Sequence, residues 1–353
     1  MSSPTNQDNQ WVPLIEIRRN EVAEGTIHGS ISWVTGDRLI YAYGGNVLCY
    51  GRSMMKPLML RVFAEELDPV LSWEQKAISV SSHIGDTEHV RTVMSILKEA
   101  ELGLMQTPFS LPLIQFGRQR RRPRRWYHTC SGEHAAILRG CQLKGWSRAG
   151  YTLPHHPFFR TYLDEVRRIL GKDWQPKVIA KDGCGLATVS MTVTEMARMY
   201  ATLATQKDED WIWEAMIRYP DLIGGFNRLD STIIKSCGGK VIAKEGADGL
   251  LGFAVVHPDY PDGLGIVIKI AHGWDPYASW VVARWALGVL GFSLRNPYPL
   301  ERQKPFIVKE VIPPELRAKM ASIQAWDDWD PDVDRWYYDP EHYAVDGMRP
   351  HGP

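Results

Sequence analysis

The sequence predicts a single mixed α/β unit, and three observations carry that prediction. Runs of β-branched and aromatic residues, separated by Gly and Asp turns, open the chain and recur near residues 240–270. Between them lie segments whose apolar residues repeat at helical spacing, such as Leu60, Phe63, Ala64 and Leu67. No internal repeat and no clean linker divides the 353 residues, although that length has room for two ordinary domains.

Taken in order, residues 1–11 are polar and read as a disordered tail. From Val12 to Tyr43, the segments Leu14-Ile15-Glu16-Ile17, Ile27-His28-Gly29-Ser30-Ile31 and Leu39-Ile40-Tyr41-Ala42-Tyr43 predict an antiparallel meander. Asn46 to Tyr50 reads as an extended approach to Gly51-Arg52-Ser53-Met54-Met55-Lys56-Pro57, at the mouth of a helix. Ala77-Ile78-Ser79-Val80 reads as a short buried strand ending in Ser81-Ser82-His83. A helix is expected from Thr87, with Val90, Val93, Met94 and Leu97 on its apolar face. Leu102 to Tyr127, rich in Pro and Arg, reads as a long loop.

Helices are expected near 132–144 and 157–171, then a strand at Lys177-Val178-Ile179-Ala180 running into the turn Asp182-Gly183-Cys184-Gly185. Two more helices, at about 192–205 and 208–219, precede a strand pair, 240–244 and 250–255. Leu264 to Ile270 reads as a further strand and Tyr277 to Leu290 as a long apolar helix. The composition then shifts, so that the expected catalytic unit is 12–296 and residues 297–353 are a Pro-, Asp- and Trp-rich extension.

Composition narrows the function. Lys plus Arg equal Asp plus Glu at 41 each, which gives no general case for nucleic acid or an anionic membrane as partner. The basic run from Arg118 to Arg125 holds six arginines and reads as a solvated loop, with a phosphate-binding patch as the alternative. Five scattered cysteines do not make a disulfide framework. No apolar run approaches the length of a membrane span, and residues 1–10 lack the apolar core of a signal peptide. A soluble, cytoplasmic protein is the expectation.

Ser53 and Lys56 stand three apart, and residues at that spacing share a helix face. The spacing therefore predicts the lysine amine beside the serine hydroxyl. A hydroxyl needs a neighbouring base to attack near neutral pH, and lysine serves only if burial or nearby positive charge lowers its pKa. Ser-x-x-Lys acyl-transfer enzymes work in this way. Further polar clusters fall at the ends of expected elements: Ser82-His83, Cys130-Ser131-Gly132-Glu133-His134, Asp182-Gly183-Cys184-Gly185, and Ala243-Lys244-x-Gly246-Ala247-x-Gly249.

In this order, with Arg52-Ser53-x-x-Lys56-Pro57, the clusters resemble the L-asparaginase II family, the serine-dependent asparaginases of rhizobial type. The resemblance runs roughly from Val12 to Phe292. It takes in plainer stretches such as Glu16-Ile17-x-Arg19, His155-His156-Pro157 and Tyr219-Pro220-Asp221-Leu222-Ile223. It implies the α+β fold of serine β-lactamases and glutaminases, a mainly antiparallel sheet with helices on both faces. It also implies a homodimer that hydrolyses L-asparagine to aspartate and ammonia. The family's two Ser–Lys pairs map onto Ser53 with Lys56 and onto Ser82 with Lys244. Two close cations depress each other's pKa, so one lysine can accept the serine proton while the other stays charged. Which serine attacks is open; Ser53 is preferred because helical spacing holds Lys56 beside it.

By the same resemblance Asp182 would bind the substrate's amino group. His134, His83 and Arg52 lie on the substrate side, with a buried structural role as the alternative for either histidine. The chemistry requires no cofactor. Zinc is the one candidate, since Cys130 and Cys184 match a zinc-binding cysteine pair, and Glu133 stands where those relatives have a lysine. Two thiolates and a carboxylate can hold zinc; two buried thiols are the alternative.

The chain departs from the family pattern at Glu133, at Thr129, at Ala271-His272-Gly273 and across 102–127. Changes around a small, strict pocket point to a different or larger substrate. Four readings follow: hydrolysis of asparagine or a related small-molecule amide, repurposed acyl chemistry on a specialised metabolite, a zinc amidohydrolase, or a non-catalytic binding homologue.

Overall fold

A computed structural model describes residues 10–19, 22–110, 122–297 and 304–323. The tail expected before residue 10 and much of the arginine run lie outside the described residues. The chain opens with strands β1 (Val12–Arg19), β2 (Val22–Thr35), β3 (Arg38–Tyr43) and β4 (Leu48–Tyr50). Six helices follow: α1 (Lys56–Leu60), α2 (Ala64–Leu67), α3 (Trp73–Ser79), α4 (Thr87–Ile96), α5 (Ser131–Leu143) and α6 (Pro157–Leu170). Next come β5 (Ile179–Lys181), β6 (Ala187–Thr192), α7 (Val193–Thr205), α8 (Ile212–Arg218), α9 (Pro220–Ile223) and α10 (Leu229–Ser236). The chain continues through β7 (Val241–Gly246), β8 (Leu250–His257), β9 (Tyr260–Ile270), α11 (Pro276–Gly288) and β10 (Lys304–Ile307).

The main sheet has the order β10-β1-β2-β9-β8-β7, with β3 branching from β2, and every pairing in it is antiparallel. A small sheet, β4-β6-β5, stands apart from it. Side chains alternate across a strand, and β2 shows both faces. Ser32 Oγ lies 2.9 Å from Thr194 Oγ1 of α7, while the next residue, Trp33, turns to the opposite side and donates from Nε1 to Val311 O at 3.3 Å. On the first face α7 lies flush on the sheet, because glycine opposes it. A Cβ on Gly265 would fall 1.8 Å from Ala197 O, and one on Gly252 would meet the Tyr200 ring at 2.6 Å. The apolar helix α11 packs against β9, β1 and β10. This layering is compatible with the α+β fold that the resemblance implies.

Two local expectations are corrected. Ala77–Val80 does not form a strand; Ala77 to Ser79 close α3. Its start is set by a capping box, in which Gln75 N–H donates to Ser72 Oγ at 3.3 Å and Ser72 N–H to Gln75 Oε1 at 2.9 Å. The run looked like a strand because α3 is enclosed by α4, α5 and α8, so its apolar residues carry no helical alternation. The stripe from Leu60 to Leu67 is buried but not one helix, since a 3-10 turn at Arg61–Phe63 separates α1 from α2. The segments β6 and α10, rich in Thr and Ser, went unanticipated, as did β10, which residues beyond 297 contribute against β1.

Candidate active site

The small sheet delivers the first serine. Gly51 N–H donates to Val189 O at 3.2 Å as the chain leaves β4. Arg52 follows with φ +49°, one of three left-handed non-glycine residues among those described, a conformation that costs energy and needs support. That support comes from Arg52 N–H bonding to Thr188 Oγ1 at 3.2 Å, and from Tyr200 OH donating to Met54 O at 2.6 Å. Ser53 therefore sits half-buried on a 3-10 turn, Arg52–Met55, beside the end of β7. A Cβ on Gly246 of β7 would fall 3.1 Å from Met54 Cβ.

The pairing differs from the one that helical spacing predicts. Lys56 opens α1 and is 1% exposed, and its amine is not hydrogen-bonded to Ser53. It donates to Ser81 O and, at 3.3 Å, to Ser82 Oγ. The segment after α3 is held there by Ser82 N–H to Ile223 O at 2.8 Å and Ile84 N–H to Gly224 O at 3.1 Å. Ser53 Oγ instead lies 3.6 Å from Cys130 Sγ. The hydrogen bond the Lys56 amine makes to a serine side chain is thus with Ser82, from the segment after α3.

Lys244 is 0% exposed and donates to Asp230 Oδ2 at 3.1 Å and to Glu245 O at 2.9 Å. It is not hydrogen-bonded to Ser82, as the mapped pairs would have it. Burial pulls the Lys244 amine below its ordinary pKa, and the Lys56 charge adds to this against the pull of Asp230. Burial acts on Lys56 in the same direction, but the negative charges of Cys130 and then Glu133 outweigh it and raise its pKa. The two lysines are therefore biased apart. Asp230 is buried and is the counter-charge of Lys244. The nearby Arg228 pairs with Glu245 at 3.1 Å.

The first turn of α5 carries the second half of the site. Cys130, Glu133 and Cys184 are all buried, with their ligand atoms within 4.8 Å of one another. The two thiols share a proton: the hydrogen bond from Cys184 first, then the Lys56 charge, hold Cys130 well below the ordinary thiol range. Cys184 is raised by that bond and by burial. Burial pushes the Glu133 carboxyl up to about 8 even though Lys56 stands 3.6 Å away. Two cysteine sulfurs and a carboxylate fit a zinc ion, which takes cysteine as the thiolate and would displace the shared proton.

At the outer side Asp182 Oδ1 accepts from Arg52 Nε at 2.9 Å and from Gly183 N–H at 2.7 Å. Arg52 also pairs with Asp248 in the β7–β8 turn, a partner that no spacing in the sequence signals. His83 Nε2 lies 2.8 Å from Ser131 Oγ, which donates to Trp126 O at 2.9 Å, so His83 braces the start of α5. His134 Nδ1 lies 2.6 Å from Tyr151 OH. Burial lowers the pKa of both rings, that of His134 to about 3.

An antiparallel sheet backed by helices, gathering two serines, two buried lysines and a thiol–carboxylate cluster, defines an α/β protein with a buried polar site. The family model for L-asparaginase II matches residues 15–307, and the chain belongs to that family. Amide hydrolysis is the activity class that membership implies. No curated protein sequence matches the chain.

Proposed function

We propose that the chain is a serine amidohydrolase that acts through an acyl-enzyme on L-asparagine or a related small amide. The observation that carries this reading is the Lys56 Nζ–Ser82 Oγ contact at 3.3 Å, inside a cluster that also holds Ser53 and Lys244. Ser53 is the nucleophile of choice because it is half-buried, whereas Ser82 is 8% exposed. The negative charges beside Lys56 raise its pKa, so in this account its amine acts as base only once a bound substrate or cation offsets them. Ser53 then attacks the carbonyl, and its proton passes to the Lys56–Ser82 pair. The leaving amine is protonated from the same pair, and water then releases the acid. Lys244 sets the local field: which lysine is neutral at a given moment depends on the other's charge.

Cys130, Cys184 and Glu133 would hold a zinc ion if one binds, and the ion would supply Lewis-acid polarisation of a substrate carbonyl. Glu133 replaces the family's cation with an acid at this point. A side chain of opposite charge in so small a pocket changes which substrate leaves no polar group unpaired, which favours a substrate other than free asparagine. If so, Glu133→Lys raises asparagine turnover; an unchanged rate removes that argument.

A second reading, with Ser82 as nucleophile and Lys56 as its direct base, is favoured by the same 3.3 Å contact. Intact-mass trapping with a reactive acyl amide separates the two. The adduct is expected on wild type and Ser82→Ala and absent from Ser53→Ala. The reverse pattern transfers the nucleophile to Ser82, and no adduct on any of them contradicts the acyl-enzyme.

A further inference from the structure

The hydrogen bonds around His134 can be counted, and the count leaves one donor over. The backbone N–H of Gln106 donates to Tyr151 OH at 2.9 Å, so the phenol oxygen is an acceptor there. The phenol's own proton has one neighbour to go to, His134 Nδ1 at 2.6 Å. Nδ1 is then the acceptor, and the imidazole carries its proton on Nε2. If instead Nδ1 donated to the phenol, two buried groups would be left without partners, the phenol O–H and the Nε2 lone pair. Both side chains are fully buried, so the arrangement with fewer unpaired groups holds. Tyr151 packs edge-on against the ring at 82° and fixes its orientation.

Nε2 has no partner among the described residues. His134 lies one turn along α5 from Cys130, to whose carbonyl its N–H bonds at 3.2 Å, and residues four apart share a helix face. Cys130 Sγ is in turn 3.6 Å from Ser53 Oγ. The neighbourhood holds other unpartnered buried polar atoms: Ser81 Oγ beside Ser82, His83 Nδ1, and Tyr162 OH, which feels the charge of Glu133. Polar capacity gathered in this way is what a bound polar molecule uses.

Resting on the amidohydrolase reading, we infer that His134 is a fixed neutral donor whose Nε2–H hydrogen-bonds the carbonyl oxygen of the substrate amide. Such a donor strengthens as negative charge grows on that oxygen, and a neutral imidazole gives it without reorganisation. The Tyr151–Gln106 chain behind it keeps the proton on the correct nitrogen.

The test is a nitrogen–proton correlation spectrum of the imidazoles in Ser53→Ala protein, with acetamide and L-asparagine as probes. The expected result is an Nε2–H tautomer for His134 whose Nε2 proton moves downfield with at least one probe. An Nδ1–H tautomer overturns the inference, as does loss of the Nε2 proton on adding Zn2+, or a proton that neither probe moves. Kinetics on the intact sequence give a second readout. His134→Leu is expected to lower kcat/KM by about 100-fold, the scale of a lost oxyanion donor. His134→Gln, which keeps an N–H near that position, should recover about 10-fold of it at an unchanged melting temperature. Equal losses in both variants contradict the donor role. Ammonia release by wild type reports the amidohydrolase reading separately: a shifted proton without release keeps the donor and removes that reading, and release with an unmoved proton does the reverse.

Discussion

Lys244 and Asp230 show what a single residue carries here. Both are 0% exposed and they meet at 3.1 Å, so neither has water to fall back on. Removing one partner of a buried pair leaves the other charge uncompensated. Asp230→Ala is therefore expected to destabilise the fold by about 3–5 kcal/mol, measured by denaturant unfolding, and to free the Lys244 amine to move. A loss of under about 1 kcal/mol, the scale of an exposed pair, contradicts this account. The residues of the site were legible in the sequence as types, since Ser53, Lys56, Ser82, Lys244, Cys130, Glu133 and Cys184 gather as their motifs suggested. Their pairing was not. Spacing gives neighbours along one element only, and the partner Lys56 takes, Ser82, comes from a segment 26 residues away. Asp230 and Asp248 were invisible as partners because long-range charge pairs leave no local pattern.

At the scale of elements, the site depends on how closely α5 crosses α3. A Cβ on Gly132 would lie 2.0 Å from Ile78 O, and a backbone oxygen cannot swing aside. Gly132→Ala must push the first turn of α5 away, and with it Cys130, Glu133 and His134. We expect it to cost about 1–3 kcal/mol, as overpacking does, and to reduce activity far more than Gly265→Ala does. The latter forces α7 off the sheet and reaches the site only through the Tyr200–Met54 hydrogen bond, so most of its loss falls on stability. Comparable activity losses in the two would disconnect the α3–α5 crossing from the chemistry. Elements with clear periodicity and caps, such as α4, α6 and α7, emerged from the sequence close to their observed limits. Those enclosed on all sides or rich in Ser and Thr did not. In α3 burial erased the alternation, and in α10 and β6 the polar residues are buried by tertiary contacts that no local window contains.

At the scale of the whole molecule, Glu133 should leave a mark on stability against pH. Its carboxyl is raised from 4.5 to about 8 by burial, so the folded protein binds that proton more tightly than the unfolded chain. The contribution is full below about 4.5 and is lost as pH rises through about 8. Metal-free protein should therefore weaken across that window, and Glu133→Gln should flatten the slope in chemical denaturation. Zinc binding would oppose the trend, since a coordinated carboxylate needs no proton. Replacing Cys130 or Cys184 by Ala should abolish any zinc retained after dialysis, read by metal analysis; full retention would remove that cluster as the site. The overall class, one α/β unit with an antiparallel sheet, was legible because strand runs and amphipathic stripes extend over most of the chain. The closing strand β10 was not, because four residues within a Pro- and Asp-rich stretch carry no period. No helix among the described residues is long and apolar enough to cross a membrane.

The most direct test of the central claim is ammonia release from L-asparagine and L-glutamine by the purified protein, with Ser53→Ala and Lys56→Ala measured beside it. The account predicts release by wild type from at least one amide, and a fall of about three orders of magnitude or more in kcat for each variant, as when a member of a catalytic unit is removed. Release that persists in Ser53→Ala and Lys56→Ala would contradict Ser–Lys catalysis and pass the chemistry to the thiol–carboxylate cluster.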